Sequence, residues 1–195
     1  LALDPVAAFF KLTILAAALL VLLAFRFDNS KELSGLGQGE FHALVLALVL
    51  GSSLLASAAD TITLYLSLEM VSITSYMLVA YMKGDRMSNE ASLKYLVFGA
   101  VSAGTMLYGL VMFYGLTGET SLIGIHTVLA GGLGTENRLA VYAAALLVMV
   151  GLGFKVAAVP FHFWCPDAYQ GAPTPVTALL SVVPKAAGLA VIVRF

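Results

Sequence analysis

Long apolar runs separated by short polar breaks fill most of this chain. Runs able to cross roughly 30 Å of hydrocarbon occupy residues 5–27, 41–59, 61–82, 91–115, 139–160 and 175–195. They are too long and too uniformly apolar for barrel strands, and lipid-facing backbone must satisfy its own hydrogen bonds. The pattern therefore predicts six transmembrane helices in a single membrane domain spanning 1–195. At the breaks, Asp60 is placed to cap the third span, Ser88 or Asn89 the fourth, and Thr174 with Pro175 the sixth. The opening run is too long for a signal-peptide core and has no basic region before it. Thr117 to Arg138, with Gly131, Gly132, Gly134 and a lone His126, reads as a re-entrant or interfacial connection, and residues 161–174 as a second, proline-rich one.

Composition agrees. The 195 residues are 61% hydrophobic and 11% charged, and the mean hydropathy is +0.97, well above a soluble domain. A net charge of −1 with scattered basic residues gives no footprint for nucleic acid. A single cysteine, Cys165, excludes an internal disulfide framework and a Cys-based zinc or iron–sulfur site of its own. Arg26, Lys31, Lys83 and Arg86, with Lys94 just inside, fall on one face against Arg138 and Arg194 on the other, so the first face is expected to be cytoplasmic. Small residues at Gly99, Ala103, Gly104, Gly151, Gly153, Ala157 and Ala158 suit close helix packing. The chain opens on Leu1 and stops at Phe195 in an apolar run, as a piece of a longer protein would.

Three ionisable residues stand where a charge is costly. Glu69 lies nine residues beyond Asp60, about 13 Å into the membrane. Lys185 lies roughly 15 Å into the sixth span. Lys155 sits five residues before Pro160, and Lys185 directly follows Pro184. A proline inside a helix leaves the carbonyl four residues earlier without its donor, here Val156 and Leu180, and such groups hold water within a membrane bundle. Intramembrane charges beside breaks mark ion or proton paths. Glu69 is expected to modulate Lys155, which exchanges protons with Lys185 through water; the competing reading is a structural ion pair between Glu69 and one lysine. Lys11 and Lys94, near span ends, are expected to snorkel.

The densest signature runs Val159-Pro160-Phe161-His162-Phe163-Trp164-Cys165-Pro166-Asp167-Ala168-Tyr169-Gln170-Gly171-Ala172-Pro173-Thr174-Pro175-Val176-Thr177. Four prolines in the sixteen residues from Pro160 to Pro175 forbid a continuous helix. Discontinuous helices beside charges are typical of ion-coupled transporters. His162 and Asp167, lacking a third ligand, read as capping or packing residues rather than a metal or catalytic site, and Trp164 and Tyr169 as interfacial aromatics.

This stretch resembles the broken helix of the proton-conducting, antiporter-like subunits of respiratory complex I (NADH:quinone oxidoreductase), whose P-F-H-x-W-x-P-D core is shared with Mrp-type antiporters. The extension from Tyr169 to Thr177 and the following Ser181-Val182-Val183-Pro184-Lys185-Ala186-Ala187-Gly188 resemble the N-type branch, equivalent to mitochondrial subunit 2. Leu64 to Glu69, and Glu90 to Tyr95 running into Gly99, agree with it. The resemblance implies an all-α integral membrane bundle, one half of an inverted-repeat fold, with Glu69, Lys155 and Lys185 on the proton path and Pro160 and Pro184 supporting it. It implies no cofactor in this chain. NAD, flavin, iron–sulfur clusters and quinone are expected on other subunits, and further membrane subunits of the complex, together with the lipid bilayer, are expected partners. The second repeat that such a path needs is absent from these residues. A bacterial inner membrane is the expected location, an organelle inner membrane the other. The competing readings are an Mrp-type antiporter or membrane-bound hydrogenase subunit and a purely structural membrane subunit.

Overall fold

The computed structural model describes residues 1–27, 38–133 and 137–195, without the side chains of Arg26, Phe27, Gln38 and Leu133. Lys31 and Gly134, named above, lie outside the described residues. In chain order the helices are α1 (Pro5–Phe27), α2 (Gln38–Leu55), α3 (Thr61–Val79), α4 (Arg86–Thr117), α5 (Leu122–Val128) running into a π-turn at Leu129–Leu133, α6 (Arg138–Val156), α7 (Trp164–Gly171) and α8 (Thr174–Arg194). Five of them, α1, α3, α4, α6 and α8, are long and apolar enough to cross a membrane, and α2 is a shorter apolar helix.

Several boundaries differ from the apolar runs, each for a local reason. Helix α4 starts before Ser88 because the Asp85 carboxylate already accepts the amides of Met87 and Ser88 at 3.2 and 3.3 Å. Ser88 is thereby free to donate to the Val79 carbonyl at 2.6 Å, closing the end of α3. Asp60 does cap α3, accepting the Thr63 amide at 2.7 Å. The residue before α8 is Pro173, with no side-chain cap. Helix α6 stops at Val156 because Ala157 turns left-handed, with φ 58°. Pro160, joined to Val159 by a cis bond, lies beyond that stop and not inside a helix. The expected loss of the Val156 carbonyl's donor to Pro160 is therefore not how this break arises.

The helices form a ring, α1–α2–α3–α4–α6–α8 and back to α1, with α8 also against α2 and α3. Helix α8 buries one side through Leu179, Leu180, Val183, Ala187, Ala190 and Val191. Helix α1 exposes Leu12, Leu15, Leu19 and Leu20, the outward apolar face of a lipid-bathed bundle. Several buried serines and threonines of α3 turn their hydroxyls to their own helix: Ser67 to Thr63, Thr74 to Met70 and Ser75 to Val71, at 2.6, 2.7 and 2.5 Å. Such back-bonding satisfies a polar group where no water reaches.

Helix α4 has 32 residues, about 48 Å at a rise of ~1.5 Å per residue, and it backs α6 and α7 in succession. A Cβ on Gly109 would lie 2.7 Å from the Ala144 carbonyl oxygen and 2.9 Å from the Val148 nitrogen, so the backbones of α4 and α6 approach closely there. Beyond the break the same helix meets α7 in antiparallel order: Tyr95 stacks on Trp164 at 4.2 Å and 13°, Lys94 pairs with Asp167 at 3.0 Å, and Gly171 abuts Ala91 and Met87.

At the opposite end of the bundle, Arg194 Nη2 donates to Asp4 Oδ1 at 2.6 Å and its Nε donates to the Ala56 carbonyl at 3.2 Å. Asp4 also accepts the Ala7 amide at 2.7 Å, capping α1. The capping amide and then Arg194 hold the Asp4 carboxyl below the usual carboxylate range. A carboxyl depressed by folding adds stability above its unfolded pKa, and that stability is lost as pH falls through the folded value. Asp4→Asn should thus lower the thermal midpoint of the detergent-solubilised protein at neutral pH and flatten its decline in acid; equal midpoints for both proteins from neutral pH to acid would show that the staple contributes nothing.

Candidate functional site

Polar residues at Tyr65, Glu69, Ser72 and Tyr76 are spaced four, three and four apart, which puts them on one face of α3. Glu69 is half-buried, with Tyr65 one turn before it on the same face. Facing this stripe is Lys155, in the last turn of α6 and only 1% exposed. Its ammonium donates to Ser72 Oγ at 3.1 Å, and Ser72 Oγ donates in turn to the Leu68 carbonyl at 2.8 Å. Tyr76 stands one turn beyond Ser72 on the same face. The Glu69 charge acts on Lys155, yet among the described residues Glu69 makes no ion pair within 4.0 Å. A direct structural ion pair between Glu69 and Lys155 or Lys185 is therefore not what this structure holds.

Tyr76 fits on this face only because α4 presents a glycine opposite it. A Cβ on Gly99 would run into the Tyr76 hydroxyl and lie 2.8 Å from its Cζ. Tyr76 then packs edge-on against Tyr95 at 4.7 Å. Sequence reading singled out Gly99 for helix packing and overlooked Ser72 and Tyr76. The four-three-four spacing of polar residues in an otherwise apolar helix is the signal that would have found them.

Lys185 occupies a second cluster. Pro184 lies inside α8, so the Leu180 carbonyl lacks its usual amide donor. The Tyr169 hydroxyl of α7 reaches that carbonyl at 3.4 Å, a long hydrogen bond. Lys185 Nζ sits 5.2 Å from the centroid of the same Tyr169 ring, within cation–π range. The two lysines are brought onto facing surfaces without touching: a Cβ on Gly188, three residues beyond Lys185, would lie 3.6 Å from Lys155 Cγ.

Trp164 lies deeper than an interfacial aromatic would. Trp164 is 3% exposed and donates its indole N–H to the Phe154 carbonyl at 3.2 Å, in the last turn of α6, so it is not an interfacial aromatic. Lys94 bridges Glu90 and Asp167, at 3.0 Å each, instead of reaching freely to an interface. His162 leaves Nδ1 buried without a hydrogen-bond partner, and among the described residues no three His, Cys, Asp or Glu side chains converge on a metal position.

Apolar spans, a helix broken within the bundle, and a buried lysine held by a hydroxyl define an integral membrane protein with a discontinuous helix beside a buried charge. The transmembrane family described as NADH:quinone oxidoreductase/Mrp antiporter matches residues 58–195, and the chain belongs to that family. It is 46% identical over 193 residues to NADH-quinone oxidoreductase subunit N of Chlorobium chlorochromatii, which covers 99% of this chain but only 37% of that protein. The chain thus spans little more than a third of the length of such relatives. Among solved structures, a chain of respiratory complex I from Thermus thermophilus with bound aureothin is 37% identical, with a TM-score of 0.81 over 100% of this chain and 42% of that one. A chain of an archaeal membrane-bound sulfane sulfur reductase is 31% identical, with a TM-score of 0.85 over 96% of this chain and 37% of that one.

Gly99→Ala should cost about 1–3 kcal/mol by overpacking, whereas Gly104→Ala, with open space around its Cβ position, should be close to neutral. Adding Tyr76→Phe, which removes the atom met first, should recover part of the loss. Unfolding in detergent measures this; equal stability for Gly99→Ala and Gly104→Ala would contradict the packing described.

Proposed function

We propose that this chain is part of an N-type membrane subunit of NADH:quinone oxidoreductase and that its residues carry protons across the bilayer as electrons pass from NADH to quinone elsewhere in the complex. The names of its relatives support the assignment, and the burial of Lys155 carries the proton-path reading. An ammonium in the bilayer interior that is held by one hydroxyl, with a carboxylate nearby but not bound to it, is poorly explained as scaffolding. Serine serves either form of the lysine. Its oxygen accepts from the ammonium, and after proton loss its hydroxyl can turn from the Leu68 carbonyl to donate to the neutral amine. Movement of the Glu69 charge toward or away from Lys155 then loads or releases a proton, and Lys185 receives it through water between α6 and α8.

In this reading the chain contains no redox centre: NAD, flavin, iron–sulfur clusters and quinone belong to other subunits, and the other membrane subunits of the complex are its partners. The ion is the proton and the location a bacterial inner membrane, in line with the bacterial sources of the relatives. The Tyr169 to Thr177 extension and the subunit N names favour this over an Mrp-type antiporter subunit.

Lys155→Ala in the full-length subunit of the assembled complex should lower protons pumped per electron several-fold while NADH:quinone electron transfer continues. Proton uptake by proteoliposomes, normalised to NADH oxidation, reads the ratio. An unchanged ratio with assembly intact would overturn the reading.

A further inference from the structure

Helix α7 places one aromatic side chain on each lysine-bearing helix. Trp164, its first residue, donates to the Phe154 carbonyl, the residue immediately before Lys155. Tyr169 sends its hydroxyl to the Leu180 carbonyl, left open by Pro184, and lays its ring beneath the ammonium of Lys185. The two rings meet edge to face at 5.9 Å, so neither moves without the other. The Tyr169 carbonyl is itself held by the Thr177 hydroxyl at 3.0 Å, which fixes the turn from α7 into α8.

We infer that Trp164 and Tyr169 are positioning residues through which the short helix α7 sets the places of Lys155 and Lys185 together. Neither carries the proton itself: Trp164 fixes the last turn of α6 beside Lys155, and Tyr169 holds the break in α8 and the ammonium of Lys185. Helix α7 is suited to this because both its ends leave the helical path, at Phe161–Phe163 and at Ala172–Pro173. It is fastened to α4 by the Trp164–Tyr95 stack, the Asp167–Lys94 pair and the close seat of Gly171. A displacement of α7 along α4 would therefore alter the Phe154 cap and the Tyr169–Lys185 contact in one motion.

The inference rests on the proton-path reading, and its test separates the two. In the assembled complex, Tyr169→Leu removes hydroxyl and ring together, while Tyr169→Phe removes the hydroxyl and keeps the ring under Lys185. Loss of the ring contact should lower protons per electron at least about twofold, given the size of a cation–π contact. Tyr169→Phe should restore most of that ratio, and Trp164→Phe, which lacks the indole donor, should fall between wild type and Tyr169→Leu. Because leucine also leaves a cavity, thermal stability is measured beside the ratio: a lowered ratio in a Tyr169→Leu complex as stable as wild type marks positioning, and a ratio that falls only together with stability overturns it. If Lys155→Ala abolishes pumping while Tyr169→Leu pumps normally, the positioning role is wrong and the path survives. If Lys155→Ala also pumps normally, the path itself is wrong. Should Tyr169→Leu not assemble, Trp164→Phe decides, and a wild-type ratio in that variant overturns the inference.

Discussion

The placement of every buried charge depends on one unbroken helix running past a broken one. Helix α6 ends inside the bundle, the chain leaves helical geometry from Ala157 to Phe163, and α7 then continues toward the end that carries Lys83 and Arg86. Backbone that leaves a helix within a membrane is tolerated only where protein covers it. Helix α4 provides part of that cover. Tyr95 lies against Phe154 on one side of the break and Trp164 on the other, at 5.9 and 4.2 Å, so one ring spans the interruption. The Trp164 indole adds a donor for the last turn of α6. Lys155 is in that turn, and its position follows from theirs.

That construction explains why a lysine can be nearly fully buried. The aliphatic stem packs on α8 at Gly188, and the ammonium meets Ser72 on α3, so two helices besides its own define the site. Gly99 gives Tyr76 room on α3, and Gly188 lets α8 approach Val156, where a Cβ would lie 2.8 Å from Val156 Cγ1, beside the lysine. The second lysine is arranged differently. Lys185 is half-buried over an aromatic face and stands beside a proline inside its own helix. The two lysines thus differ in what holds their charge, a hydroxyl in one case and a ring face in the other.

Much of this was legible in the residues. Five of the six apolar runs fall on helices long enough to cross a bilayer and the run at 41–59 on the shorter α2, and Glu69, Lys155 and Lys185 stood out because charges are rare in such runs. The Pro160–Pro175 stretch announced a break. The way the break is made was not legible: proline excludes helix, but the stop comes from Ala157 adopting a left-handed conformation, which nothing in an alanine advertises. The burial of Trp164 was hidden for a related reason. An amphipathic ring suits an interface and an internal cap equally well, and only the neighbouring carbonyl of Phe154 decides. Lys94 and Asp167 lie 73 positions apart, so their pairing needed the fold. The helix boundaries moved wherever a carboxylate such as Asp85 captured amides ahead of the apolar run.

The claim on which the account turns is that Lys155 changes protonation during turnover. Infrared difference spectroscopy on the assembled complex, with lysine side chains labelled at the ε-nitrogen and turnover started by NADH, reads that event without relying on a pumping assay. The account predicts an isotope-sensitive lysine signal that loses a component in Lys155→Ala. A signal identical in wild type and Lys155→Ala would contradict it.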